Sequence, residues 1–465
     1  MKKAFFQSLV TAFCGLHWVV MAPSCLAESA VEGDPTLDAI APPNGETENF
    51  SLHGQATYVL QYKDRFHSPY TGNKSMLSTG DQGKSYTLTI TPFMGARLWD
   101  GAAVFYNPEA VESIAFSNLS GLGGFTNGEM QRGSNVPMKF YNARYFIQQT
   151  FGFGGGQAYV ESGPNQLAGT IDKRRLRLSF GGFSALDYFD GNKYSHDPRT
   201  QFLNWSFMTM GAWDFPANSR GYTYGLVAEY FDDGWAVRLG RLAMPKEPNS
   251  LRLDWGLNQQ YGDQIEFEHE HTLGGQPGAL RVLLFQNRGW MASYANASSL
   301  APSDTTPDIL SSRNSYQKKW GYGVNLEQAI TDRVGFFARW SWNDGQTETQ
   351  AFTDIDRSLS GGFSINGGYW GRAHDTWGIA GALNGIAGSQ IAYLSQNGSA
   401  QGGSTMFIGD GKLNYRKEQI LETYYSFNLC KGAYLSADYQ YIANPAYNAD
   451  RGPVSFFGLR AHIEL

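Results

Sequence analysis

The stretch QIEFEHEHTLGG (264–275) sets Glu266, Glu268 and Glu270 beside His269 and His271. Carboxylates and imidazoles at this density are groups that hold a transition metal or share acid and base work. GDQGKS (80–85) carries glycines and a lysine in the manner of a phosphate loop, and His196-Asp197 offers two members of a hydrolase triad. All three depend on how the backbone presents the side chains. Ser78 replaces the first glycine of the full phosphate-loop pattern and a strand pattern follows where a helix is required, which rejects that reading. No Gly-x-Ser-x-Gly elbow accompanies His196, so a triad would have to be assembled in space. On a strand, Gln264, Glu266, Glu268 and Glu270 share one face while Ile265, Phe267, His269, His271 and Leu273 share the other. Histidines and glutamates then cannot chelate together, and a two-histidine metal site would need a ligand from another strand.

Strands are what the rest of the chain predicts. In FSLHGQATYVLQY (50–62), Phe50, Leu52, Gly54, Ala56, Tyr58, Leu60 and Tyr62 alternate with Ser51, His53, Gln55, Thr57 and Gln61. Tyr86, Leu88, Ile90, Pro92, Met94, Ala96 and Leu98 repeat the pattern against Ser85, Thr87, Thr89, Thr91 and Arg97, before a WDG turn at 99–101. A period of two gives each strand one greasy and one wet face, which also suits a soluble sandwich. The rhythm of connections favours a transmembrane barrel, with short turns on one side and longer loops on the other. DDG (232–234), GGQPG (274–278), AITDR (329–333) and the step at 430–432 are short. Longer stretches lie near 244–261, 289–317, 345–356, 385–417 and 443–453. Trp340, Trp342, Tyr424 and Tyr425 stand at strand ends, as in an aromatic girdle. FFGLRAHIEL alternates to the final Leu465, as a barrel-closing strand must, although phenylalanine or tryptophan is common at that position.

Composition agrees. The chain carries a formal charge of -6 without basic runs, a poor match for nucleic acid. It is rich in Tyr (26), Phe (30), Trp (12) and Gly (55), with few convincing amphipathic helices. Lys2 and Lys3, the apolar run Ala4–Val20 and small residues up to Ala27 predict a cleaved signal peptide over 1–27. Cys14 and Cys25 fall within it, leaving Cys430 in the remainder. Residues 28–49 then form a flexible periplasmic leader and 50–465 the barrel domain.

Several segments resemble the OprB-type carbohydrate-selective porins, a family of bacterial outer-membrane channels. LWDGAAVFYNPE (98–109) is similar to an early strand-turn-strand of that family. FSALDYFDGNKYSHDPRTQFLNW (183–205) with RGYTYG (220–225) resembles its central segment. LETYYSFNLCKGAYLSADYQYIANPAYN (421–448) and RGPVSFFGLRAHIEL (451–465) resemble its closing strands. The resemblance implies passive diffusion of sugars or similar small hydrophilic solutes across the outer membrane. It also implies sixteen strands. Alternating segments that obey up-down parity number eighteen, near 50, 85, 102, 139, 157, 174, 202, 222, 234, 262, 279, 319, 334, 357, 376, 418, 433 and 454. Those near 157 and 202 are the least regular, and 184–213 can instead fold inward or form a short helix. The expectation is therefore an all-β transmembrane antiparallel barrel of 16 strands, with 18 as the alternative.

Parity also nominates a pore lining. Basic residues on the lipid face at mid-membrane cost about 2–4 kcal/mol, so charges in strands face the lumen. Arg97, Asn107, Glu109, Arg144, Glu266, Arg339, Glu422, Asp438, Gln440 and Arg460 are the predicted pore-lining or solute-contact residues. The competing reading is that inward charges pair across the wall and hold its shape. The glycine-rich loop Val111–Asn135 either folds inward and narrows the pore or stays at the surface. No catalytic residue, cofactor or metal is called for. Expected partners are small hydrophilic solutes, sugars first, and outer-membrane lipid; monomer and trimer both remain open. A general or anion-preferring pore is the alternative within the channel class. A non-transporting barrel, enzyme or adhesin, is the alternative outside it.

Overall fold

The computed structural model describes residues 47–79, 84–133, 135–302, 305–396 and 406–465. The predicted signal peptide, residues 28–46 of the leader and most of GDQGKS lie outside them. The first strands are β1 (Phe50–Lys63), β2 (Lys84–Trp99), β3 (Ala102–Ile114), β4 (Val136–Gly152), β5 (Gln157–Val160), β6 (Gly169–Asp172), β7 (Arg175–Phe183), β8 (Thr223–Asp232) and β9 (Trp235–Ala243). There follow β10 (Tyr261–Leu273), β11 (Gln276–Trp290), β12 (Tyr316–Thr331), β13 (Val334–Asn343), β14 (Arg357–Asn366), β15 (Thr376–Gly385), β16 (Glu418–Cys430), β17 (Ala433–Ala443) and β18 (Val454–Glu464). All except β5 and β6 close into one barrel, sixteen strands in all, with β4 beside β7.

Each barrel strand pairs antiparallel with its neighbours, and β1 meets β18 from Gln55↔Glu464 to Lys63↔Phe456. Gly54 and Leu465 exchange backbone hydrogen bonds of 3.2 and 2.9 Å, so the last residue takes part in closure. A closed barrel leaves no edge with unpaired peptide groups, a requirement in hydrocarbon. The two weakest segments account for the difference between sixteen and eighteen. That near 157 is β5, half of a small hairpin with β6 outside the barrel. That near 202 leads into the short helix α1 (Trp205–Met208) inside it.

Burial runs opposite to that of a soluble protein. On β1, Phe50 and Leu52 are 61% and 64% exposed, whereas Thr57 and Gln61 are buried. The apolar residues face the membrane and the polar ones interlock inside, where Gln55 bonds Thr91 at 2.9 Å and Thr57 bonds His462 at 2.8 Å. Both described ends and the tight turns gather on one rim. At one of these turns Asp233 (φ 41°) and Gly234 (φ 80°) both take left-handed conformations, as a two-residue hairpin of the twisted sheet requires. The longer connections leave from the other rim.

Two of those connections fold into the lumen. Residues 115–135 bury Phe116, Leu119, Leu122, Phe125 and Met130, and residues 184–222 bury Phe189, Phe202, Trp205, Phe207, Trp213 and Phe215. Both meet inward-facing Leu283, Phe285, Phe337, Ile420 and Phe456 in one apolar core within the barrel. Tyr424, predicted to join the outer girdle, also belongs there: it is 2% exposed, with its ring 5.0 Å from that of Phe202. Trp340 and Trp342 do face outward and cluster with Tyr322. Above the lumen, α2 (Tyr294–Leu300) and α3 (Gly388–Ser395) pack Tyr294 and Tyr393 into a second apolar cluster that roofs this rim.

Candidate functional site

A chain segment folded into a lumen loses water from its peptide groups, and these must find partners there. Wall side chains supply them. Glu266 accepts from the Asp190 N–H at 2.7 Å. Glu422 accepts from Leu203 and Asn204 N–H at 2.5 and 2.9 Å. Arg339 donates to the carbonyls of Phe207 (2.8 Å) and Ser195 (2.6 Å) and pairs with Asp190 at 3.1 Å. Arg460 donates to the Pro198 and Gln201 carbonyls at 2.7 and 2.6 Å. Gln440 reaches the Thr126 carbonyl at 2.8 Å and also bonds Asp438 at 3.0 Å. These predicted pore residues do face inward, but all are buried against the folded loops and present little surface to a solute. Asn107 is likewise buried. Arg97 lies at the short-turn rim, where it donates to the carbonyls of Glu48 and Ala168.

Glu266 and Glu268 of QIEFEHEHTLGG pair with Arg238, and Arg281 bridges Glu268 and Glu327. His269 stacks on Trp235 at 4.0 Å, and His271 meets Gln328 at 2.9 Å. Among the described residues, no three potential ligands gather in a metal-holding group.

An opening among the described residues, a cavity of about 280 Å³, lies between β2, β3, β4, the two inward loops and Ala351–Phe352. At roughly 30 Å³ per water it holds about nine waters, the scale of one pyranose ring with its hydroxyls. Of the predicted residues, it brings together Glu109 and Arg144. Glu109 accepts from Thr91 (2.7 Å), Tyr222 (3.2 Å) and Arg199 (3.2 Å), and Tyr141 also donates to it. Arg199 continues to Glu129 at 3.0 Å, and Thr89 donates to the same carboxylate. Burial pulls the Arg199 pKa down, but Glu129 and Glu109 outweigh it and hold it above the usual guanidinium value. Arg144 forms a two-pronged pair with Asp187 at 2.7 and 2.6 Å and lies 5.3 Å from the centre of the Tyr222 ring. Trp205 and Phe352 also border the cavity and stack on each other with ring centres 5.1 Å apart.

Parity missed much of this lining because most of it comes from loops: Glu129, Asp187, Arg199 and Trp205. Tyr141 escaped for another reason. Opposite Asn107 and Pro108, the register with β4 slips by one residue, from Arg144 to Asn142. The bulge at Ala143 turns both Tyr141 and Arg144 inward although they are three apart. Pro108, which cannot donate to the ladder, is the local signal for it.

A closed barrel with a polar constriction fits many solutes. The family is decided by the sequence: residues 114–465 match the model for the carbohydrate-selective porin, OprB family. The chain belongs to that family. This OprB-family protein is a carbohydrate-selective porin of the bacterial outer membrane, a channel and not an enzyme. The solved structure of Pseudomonas putida OprB at high pH shares its fold, with a TM-score of 0.66 at 14% identity over 90% of this chain and 94% of that one. The outer-membrane channel DcaP of Acinetobacter baumannii gives a TM-score of 0.49 at 10% identity, covering 90% of this chain and 97% of that one. Comparison of the porin with curated proteins finds no match.

Proposed function

We propose that sugars cross this porin singly through the cavity beside Glu109, and that Glu109, Glu129, Arg144, Asp187 and Arg199 are the polar contacts. The observation that carries this reading is that the acid and base network and the Trp205 and Phe352 rings border one ring-sized space. A sugar entering it sheds water from both its hydroxyls and its apolar ring faces. Fixed carboxylates and guanidinium groups replace the first as acceptors and donors, and flat aromatic rings cover the second. Because Glu109, Glu129, Asp187 and Arg199 already have internal partners, solute bonds to them form by exchange and stay weak. Weak binding is what flux through a selective pore requires. The other predicted residues, Glu266, Arg339, Glu422, Gln440 and Arg460, serve this function indirectly by fixing the loops that shape the space.

Planar-bilayer recording tests the proposal. The purified porin is expected to give stepwise conductance that glucose reduces in a concentration-dependent way, and Glu109→Gln together with Arg199→Gln is expected to weaken that block about tenfold or more. An unchanged glucose block in the double variant would place the sugar contacts elsewhere.

A further inference from the structure

The charges around the cavity are not evenly satisfied. Arg199 and Arg144 are matched by Glu109, Glu129 and Asp187. Arg132, at the end of the inward loop 115–135, is not: its side chain is buried, and Nε, Nη1 and Nη2 all lack a hydrogen-bond partner among the described residues. The carboxylates with most influence on it, Asp214 and Asp354, are engaged elsewhere. Asp214 accepts the N–H groups of Gln350, Ala351 and Phe352 at 2.8, 2.8 and 3.0 Å and faces Lys319 at 3.6 Å. Asp354 accepts the Phe407 N–H at 2.8 Å, while the Arg132 guanidinium lies 5.6 Å from the centre of the Phe407 ring. Burial pulls the Arg132 pKa down to about 9, which leaves it charged at neutral pH but poorly solvated.

A second cation stands close by. The Arg132 N–H bonds the Ser219 carbonyl, so Arg220 follows directly on the adjoining strand of loop. Its guanidinium lies 4.3 Å from the centre of the Tyr141 ring and makes no ion pair among the described residues. Arg144 Nη1 and His196 Nδ1, on the same cavity, also lack partners among the described residues. The Glu109–Arg199–Glu129 and Arg144–Asp187 groups of the lining are thus internally neutralised, whereas Arg132 and Arg220 carry positive charge without an ion pair among the described residues.

We propose that Arg132, supported by Arg220, is a binding site for the carboxylate of an acidic sugar, a uronic or aldonic acid, whose hydroxyls meet the Glu109 network. This rests on the reading of the cavity as the sugar path and adds the solute class to it. A planar guanidinium fork matches a carboxylate in a two-pronged pair, whereas the hydroxyl of a neutral sugar leaves the buried charge uncompensated. A small carboxylate would answer the charge alone and leave the rest of the cavity unfilled.

The test compares block of single-channel current by glucose, glucuronate and acetate at equal ionic strength, in the wild-type porin, Arg132→Gln and Arg132→Lys. Glucuronate is expected to block at about tenfold lower concentration than glucose, and acetate not at all. Arg132→Gln should bring the glucuronate-to-glucose ratio towards one, with Arg132→Lys, which keeps charge without the fork, between the two. Retained stepwise conductance shows that each variant is folded; should Arg132→Gln lose it, the comparison with Arg132→Lys decides. Equal block by glucose and glucuronate in the wild type, or a ratio unmoved by both variants, overturns the acidic-sugar site and leaves the sugar path standing. Acetate acting as strongly as glucuronate makes it a simple anion site and overturns the sugar part. Block by none of the three removes both the path and this site.

Discussion

Two sectors of the barrel wall carry the same sequence pattern and put it to opposite uses. On β10, β13, β16 and β18, Glu266, Arg339, Glu422 and Arg460 point inward and are sealed beneath the folded loops, bonded to loop backbone or to Asp190. On β3 and β4, Glu109 and Arg144 point inward as well, yet they border the opening and meet loop side chains. The difference lies in what comes down from the rim. Where loop 184–222 presents bare carbonyls and N–H groups, wall charges become anchors; where loops present Arg199, Glu129 and Asp187, the wall and loops together form the surface proposed to meet the sugar.

The comparison breaks first at Arg339. Arg339→Met takes the counter-charge from the buried Asp190 carboxylate, which keeps only the Asn325, Thr209 and Met210 donors, and removes the guanidinium from the Ser195 carbonyl, a loss of about 3–5 kcal/mol for an anchor. Thermal unfolding in detergent should show it, together with larger or noisier conductance as the inward loop loosens. An unchanged melting curve and conductance would remove the distinction between the sectors. Arg144→Met sharpens the contrast. Its pair with Asp187 is partly exposed, 13% and 26% by side chain, so stability should fall by no more than about 1 kcal/mol. Sugar block is the readout it should move. Tyr222→Phe is smaller still: it removes one donor to Glu109 at 3.2 Å, worth about 0.5–1.5 kcal/mol, and should weaken glucose block with conductance retained.

The barrel itself was legible because lipid imposes a single rule on every strand. Alternation, short turns and the flush C-terminal strand located all sixteen barrel strands but counted eighteen segments; the family resemblance implied sixteen, and the surplus segments were the two least regular ones. The proposed constriction was half legible. Parity places Glu109 and Arg144 inward but says nothing of what packs over the wall, so it nominates Glu266 and Arg339 equally. One signal lay unused: Phe336-Phe337, Ile420-Leu421 and Phe456-Phe457 are apolar on both faces of a strand. In each pair one residue meets lipid and the other the internal core. Such doublets mark where a loop must return to fill the barrel. Which loop residues then border the opening depends on contacts between distant segments, such as Arg199 with Glu109, which local spacing cannot encode.

The smallest expected effect concerns pH and lies at the border between the two sectors. His196, on loop 184–222, lines the cavity and has no hydrogen-bond partner at Nδ1 among the described residues, while Nε2 faces the Leu186 carbonyl at 3.2 Å. Burial, with Arg339 nearby, lowers its pKa below the ordinary 6.5 despite Asp190, Asp197 and Asp187. An unfolded chain would take up a proton there on acidification before the folded one does. Stability should therefore fall as pH drops below about 6.5, by at most about 1.4 kcal/mol per pH unit, and level off once the folded imidazole is protonated. His196→Gln should subtract this slope from the unfolding profile and leave the profile above pH 7 unchanged in shape. If the two profiles run parallel from pH 7 to 5, His196 is open to solvent, and the sealed sector ends short of it.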